Sequence, residues 1–299
     1  MAAQRHMHAV LITAYKDYPT LLRLVRRLDP GFFRLFIHID KRSRFTSPQI
    51  DQLRALGAEV SQSFVVRWGS YTHLLAILDL MAAACRHGGF DYIHIISGQD
   101  YPLWDAREFG RRCDGRIFMD HGRLEQQPQL VRDRYELRDP FHVVLTGRFG
   151  ARWLHKFLTR KTHRIRSWIG PRRTRFGPYP YSALHKSLVW SSFPISAAAR
   201  LLDDPEAKAF LQAIRDTRLA EEIFFATYFL NSDLAPLVVK DGLRYADWRE
   251  RNGSNPAYLD ESDAEAVLRS DALFARKVSS ECSARLLDRV DAVRFGSAG

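Results

Sequence analysis

The chain has 299 residues, 46% hydrophobic and 12% aromatic, which is enough apolar surface for a full core; this excludes a disordered chain and sets a prior of one or two domains. Forty-five Lys and Arg against 34 Asp and Glu give a net charge of +11, which favours anionic partners: nucleic acid, phosphorylated small molecules or an acidic membrane surface. Three widely spaced cysteines, Cys85, Cys113 and Cys282, show no metal-ligand spacing, so free thiols in a reduced compartment are expected, with neither a structural disulfide nor a zinc site.

In chain order, Met1 to His8 is short and polar, and Ala9 to Ala14 falls far below the ~20 apolar residues that span a bilayer, so neither signal peptide nor membrane anchor is expected. His8 to Ala14 reads as a strand. Pro19 to Leu28 follows as a helix, with Leu21, Leu22, Leu24, Val25 and Leu28 at helical spacing and Asp29-Pro30-Gly31 as its stop. Phe33 to Ile39 is a second strand ending at Asp40, Ile50 to Leu56 a helix, Glu59 to Val66 a short strand, and Tyr71 to Cys85 a long amphipathic helix. Alternation of this kind predicts βαβ units and a mainly parallel sheet.

The next strand, Phe90 to Ile96, runs into Ser97-Gly98-Gln99-Asp100-Tyr101-Pro102-Leu103. Ile93, Ile95 and Ile96 stiffen the strand, Gly98 permits close backbone approach, and Pro102 is expected to end the ladder. Asp100 then sits at a strand's carboxyl end, where open α/β sheets bind ligands; a simple cap of the next element fits the same pattern.

Arg116 to Met119 reads as another strand. Residues 147–177 carry ten Lys or Arg and no acid, interleaved with aromatic and aliphatic residues. A solvated helix packing its apolar stripe on the body explains this segment; contact with an anionic membrane or nucleic acid does so too. Ser187 to Ile195 resembles a strand, Ser196 to Leu202 opens a helix, and Glu221 to Phe229 is strongly apolar with two carboxylates at its head. No internal repeat or low-complexity linker divides the chain, so a single domain over 1–299 is expected.

Asp40, Asp100, Glu221 and Glu222 all lie at element ends. Consecutive helical residues point about 100° apart, so at most one of Glu221 and Glu222 should face a given cleft, with the other solvated. Carboxylates at a helix start are also favoured by the helix dipole alone. Near the end, Arg276-Lys277 could neutralise a diphosphate without metal, because Arg offers a bidentate fork and Lys a compact charge. Gly-x-x-x-x-Gly-Lys, Gly-x-Gly-x-x-Gly, His-Glu-x-x-His, Gly-x-Ser-x-Gly and Asp-x-Asp are all absent from the sequence.

In order along the chain, Ala9–Tyr15 with Phe36–Asp40, Val66–Tyr71, Ile96–Leu103, Glu221–Thr227, Leu243–Trp248 and Leu273–Lys277 together resemble the core-2/I-branching family of inverting glycosyltransferases, which includes β-1,6-N-acetylglucosaminyltransferases and peptide O-xylosyltransferases. The resemblance implies a glycosyltransferase A type fold, a nucleotide-sugar-binding half at 1–120, an acceptor and catalytic half at 121–299, and transfer from a UDP-sugar without metal or other cofactor.

By position, Glu222 would be the general base, and Ile12 and Thr13 the strand beneath the base of the nucleotide. Asp40 would hold its uracil or ribose end, Trp68 would lie near the donor, and Gln99 and Asp100 by the donor sugar. Lys277 would replace the metal at the diphosphate. The family's upstream Arg has no counterpart in Gly253–Ala257, which makes Arg276 the preferred second cation over Arg249 or Arg251. Trp190 keeps an aromatic in the acceptor segment, suited to stacking on a sugar.

The resulting expectation is transfer of N-acetylglucosamine, or xylose as the alternative, to a glycan or glycolipid acceptor. The enzyme would be cytoplasmic, with 147–177 holding it to the anionic inner face of a membrane. A nucleic-acid-binding protein is the rival, but it leaves Glu222 and Asp100 without a role.

Overall fold

The structure, a computed structural model, describes residues 7–136 and 180–296; the basic segment at 147–177 lies outside them. The strands are β1 (His8–Ala14), β2 (Phe33–Ile39), β3 (Glu59–Ser61), β4 (Tyr92–Ser97), β5 (Asp100–Pro102), β6 (Ile117–Phe118), β7 (His121–Arg123), β8 (His185–Ser187), β9 (Ser192–Pro194), β10 (Val238–Val239), β11 (Arg244–Ala246) and β12 (Phe274–Arg276). Seven of them form a central sheet in the order β10-β6-β9-β4-β1-β2-β3. β1 runs parallel to both β2 and β4, and β2 parallel to β3; β9 enters antiparallel between β4 and β6. This is the mainly parallel α/β architecture expected.

Both faces of the sheet are covered, so its middle strands are mostly apolar and alternation sorts their side chains between two cores. Ala9, Leu11, Ile93 and Ile95 pack with helices Tyr71–His87 and Glu221–Asn231. Val10, Ile12, Leu35, Ile37 and Ile96 pack on the other side with helices Tyr18–Arg27 and Ser47–Ala55. A third core gathers Tyr101, Leu103, Leu259, Ala275 and Leu286 beneath the small sheet β11-β12-β5.

Three segments depart from the sequence reading. The ladder of β3 stops at Ser61, because the Phe64 N–H donates to His38 Nε2 and the Phe64 carbonyl accepts from Lys41, which fastens the chain to the end of β2 instead. The single strand expected at Ser187–Ile195 is two, β8 pairing with β7 and β9 with β4 and β6; a bend between them carries Trp190. Pro102 does not end the ladder. It sits within β5 opposite Phe274, which is tolerated because β5 is an edge strand, and Leu103 N continues the pairing to Leu273 O.

The carboxyl ends of β1, β2 and β4 meet at one edge. Asp40 N donates to Ala14 O and Gly98 N to Thr13 O, at 2.9 and 3.0 Å. A Cβ on Gly98 would stand 3.2 Å from the Ala14 Cβ, so the turn from β4 into β5 lies directly against β1 only because residue 98 has no side chain.

Candidate functional site

Asp100 opens β5, directly across from Arg276 in the register of β12. It is fully buried, accepts from Ser97 N at 2.8 Å and Ser97 Oγ at 2.5 Å, and pairs with Arg276 Nη1 at 3.2 Å. Arg276 is 5% exposed, and its guanidinium carbon lies 4.2 Å from the ring centroid of Trp190. Burial pulls the Arg276 titration down, opposed by the charge and hydrogen bond of Asp100. Asp100 and Arg276 thus satisfy one another inside the protein, and Arg276 stacks on Trp190.

Arg244, half-buried, donates to Ser192 Oγ, Gly242 O, Ile95 O and Ser191 O, joining β11 to β4 and to the bend before β9. Burial lowers its titration to about 10, against the pull of Asp100.

The helix Glu221–Asn231 turns the adjacent carboxylates apart, as their spacing requires, but one is buried and the other half-buried rather than solvated. Glu221 is the buried one, with Oε1 3.0 Å from His73 Nδ1, while His73 Nε2 lies 3.2 Å from Thr13 Oγ1. A carboxylate can only accept, so in the neutral imidazole Nδ1 carries the proton and Nε2 accepts from the Thr13 hydroxyl. Glu221 therefore anchors the end of β1 through His73.

Glu222 points the other way. Its Oε2 accepts from Tyr135 OH at 2.5 Å and pairs with Lys186 Nζ at 3.2 Å, and 23% of its side chain stays exposed. Burial and the neighbouring Glu222 both raise the Tyr135 titration far above the ordinary phenol value, so Tyr135 stays protonated and donates. Among the described residues both donors act on Oε2, and no partner is seen for Oε1.

The other expected residues occupy the same edge in different ways. Ile12 is fully buried in the core beneath β1 and can act only as packing. Asp40 closes the turn after β2, accepting from Arg42 N at 2.8 Å. Trp68 is 70% exposed, with the Arg218 guanidinium carbon 5.0 Å from its ring centroid. Its loop is held to the approach of the Glu221 helix by Leu219 N donating to Gly69 O at 2.9 Å.

Gln99 lines an open cavity, and Lys277 precedes Val278, whose N–H donates to Gln99 O at 2.9 Å. A cavity of about 660 Å³, within the usual range for small-molecule sites, lies between the turn after β1, the loop after β2, Gln99, Tyr258 and Ser279–Glu281. Gln99 Nε2 donates to Tyr258 OH at 2.9 Å, and Lys277 Nζ to Ser254 Oγ at 3.3 Å. Burial lowers the Lys277 titration, and repulsion from Arg276 and Lys16 adds to that, against Asp100.

His73, Tyr135, Lys186, Lys16 and Tyr258 were not singled out from the sequence. His73, Tyr135, Lys186 and Tyr258 lie far along the chain from their partners or in ordinary positions; only Lys16, a cation just past the carboxyl end of β1, carries a usable positional signal.

The three cysteines are free thiols. One group among the described residues has metal-ligating atoms close together: His8, His94 and Cys113, within 4.8 Å of one another. Its nitrogens are already joined in a hydrogen-bond chain, with His8 Nδ1 3.0 Å from His94 Nε2 and His94 Nδ1 2.8 Å from Ser192 Oγ, and Arg244 donates to the same Ser192 oxygen. A guanidinium that close opposes a further cation, and burial holds the Cys113 thiol up at about 12. The group fits a buried polar network better than a metal site. No helix among the described residues is long and apolar enough to cross a membrane.

Residues 9–268 match the protein family described as Core-2/I-Branching enzyme. No curated protein matches the chain. Among solved structures it is similar to S. aureus TarS 1-349 in complex with UDP, at 18% identity and a TM-score of 0.28 over 38% of this chain and 34% of that one. It is also similar to a 4-diphosphocytidyl-2C-methyl-D-erythritol synthase, at 12% identity and a TM-score of 0.33 over 73% of this chain and 94% of that one. The match thus spans about a third of the TarS chain, and overlaps this loose carry no mechanistic weight.

Proposed function

As a member of the core-2/I-branching enzyme family, to which the chain belongs, the protein is a glycosyltransferase, and we propose that it moves a sugar from a UDP-sugar to a glycan or glycolipid hydroxyl by one inverting displacement. N-acetylglucosamine is the sugar we favour, with xylose as the alternative, and no metal takes part. The observation that carries this reading is the arrangement of Glu222: a half-buried carboxylate held by Tyr135 and Lys186 through one oxygen, with no partner seen for the other among the described residues.

In the step proposed, Glu222 takes the proton of the acceptor hydroxyl as that oxygen bonds to the anomeric carbon. The bond from the same carbon to the diphosphate breaks on the opposite face, and UDP leaves with the electron pair. Lys186 and Tyr135 hold Glu222 in place before the step. Lys277 meets the negative charge that gathers on the leaving diphosphate. The buried Asp100–Arg276–Trp190 unit and the Glu221–His73–Thr13 relay hold the strand ends on which donor and acceptor would rest.

Turnover of a panel of UDP-sugars against glycan acceptors tests the reading. Glu222→Gln is expected to retain UDP binding and lose about 10²- to 10⁴-fold in transfer rate, the usual contribution of a general base. A Glu222→Gln enzyme with wild-type turnover would remove Glu222 from the reaction.

A further inference from the structure

Neutralising a diphosphate with protein side chains alone calls for more than one cation, and the structure withdraws the arginines that could join Lys277. Arg276 is buried against Asp100 and Trp190. Arg251 is held by Asp260 and Asp263, each at 2.5 Å, and by Asp247 at 3.5 Å. Arg249 turns its fork onto Asp247, at 3.0 Å from both Nε and Nη2. Each guanidinium already has its carboxylate.

Lys16 differs from all three. It follows β1 at the mouth of the cavity, is exposed, and donates to the neutral oxygen of Tyr258 at 2.8 Å. Burial opposes its charge, but its contacts with Tyr258 and Tyr15 outweigh that and raise its titration, so it remains a cation.

Tyr258 connects Lys16, through its side chain, to the backbone around Lys277. Leu259 N donates to Lys277 O at 2.8 Å and Lys277 N to Ala257 O at 3.3 Å, so the backbone on both sides of Tyr258 is tied to Lys277. Val278 N donates to Gln99 O at 2.9 Å, which brings Gln99 to the same place. Because the Tyr258 oxygen accepts from both Lys16 and Gln99, its own proton is free to be donated outward. Lys16, the Tyr258 phenol and the Gln99 amide therefore meet at the cavity, and Lys277 lies close enough to Lys16 to be repelled by it; among the described residues neither lysine is paired with a carboxylate. Asp17, the nearest acid in sequence, is occupied by Thr20 and by Ser280 N and Oγ.

We propose that Lys16 is the second diphosphate-binding cation, acting with Lys277 across Tyr258 in the position left by the missing arginine. The inference rests on the UDP-sugar reading above and adds a residue to it. Charge-assisted hydrogen bonds to phosphate oxygens are the strong ones, so the effect of losing one should be large and confined to ligands that carry the diphosphate.

The test is calorimetric titration of the full chain with UDP and with uridine, for wild type, Lys16→Met and Lys16→Arg, with thermal unfolding of each variant alongside. Lys16→Met is expected to weaken UDP binding about tenfold or more while uridine binding and unfolding temperature stay as in wild type, and Lys16→Arg to recover most of the loss. Lys16→Met binding UDP as tightly as wild type, or losing UDP and uridine equally, would overturn the inference and leave the donor reading standing. A wild-type protein that binds neither ligand would overturn both.

Discussion

Buried Arg276 and half-buried Arg244 have acceptors around them, whereas Lys16, at the cavity, and Lys277, close to it, each donate to a neutral oxygen. Both groups meet at the small sheet β11-β12-β5, and Arg276 and Lys277 are consecutive residues. The guanidiniums fasten elements: Arg276 joins β12 to β5 and Arg244 joins β11 to β4. The lysines fasten little. A forked, multi-donor cation can satisfy its own burial, and a point charge on a flexible stem leaves its charge for a ligand. Adjacent residues of the same charge thereby serve folding and binding separately.

The sharpest way to break this contrast is stability. Arg276→Met leaves Asp100 buried without its counter-charge and is expected to cost about 3–5 kcal/mol in urea denaturation, while Lys277→Met should cost less than about 1 kcal/mol. Equal losses would mean that the two cations do the same work.

A smaller effect is expected with pH. Lys277 loses its proton at a lower pH than an ordinary lysine because it is buried and repelled by Arg276 and Lys16. A bound diphosphate favours the charged form, so UDP affinity should be full below the depressed value and fall as pH rises through it. Lys16, shifted the other way, stays charged over that range. Titration with UDP across alkaline pH should show the fall in wild type and a flatter profile in Lys277→Met; identical profiles would assign the pH dependence elsewhere.

Much of the fold was legible because β1, β2 and β4 are mostly apolar on both faces and helix Tyr18–Arg27 repeats Leu at helical spacing. Boundaries failed where long-range bonds overrode local pattern. His38 ends β3 from the neighbouring strand, and β8 and β9 divide because each pairs with a different partner.

In the site, local position marked Glu222, Asp100 and Lys277, but partnership could not be read locally. Glu221 is buried rather than solvated because His73, 148 residues earlier, comes to meet it. Arg276 points inward because register sets it opposite Asp100 across 176 residues. Lys16 was visible next to the first strand and was passed over because nothing local links it to Tyr258, 242 residues away.

The most direct test of the account is turnover of the preferred UDP-sugar in excess EDTA, compared with the same reaction supplied with Mn²⁺ or Mg²⁺. Lysine-based neutralisation of the leaving diphosphate predicts equal rates in both. Activity abolished by EDTA and restored by the metal would contradict it.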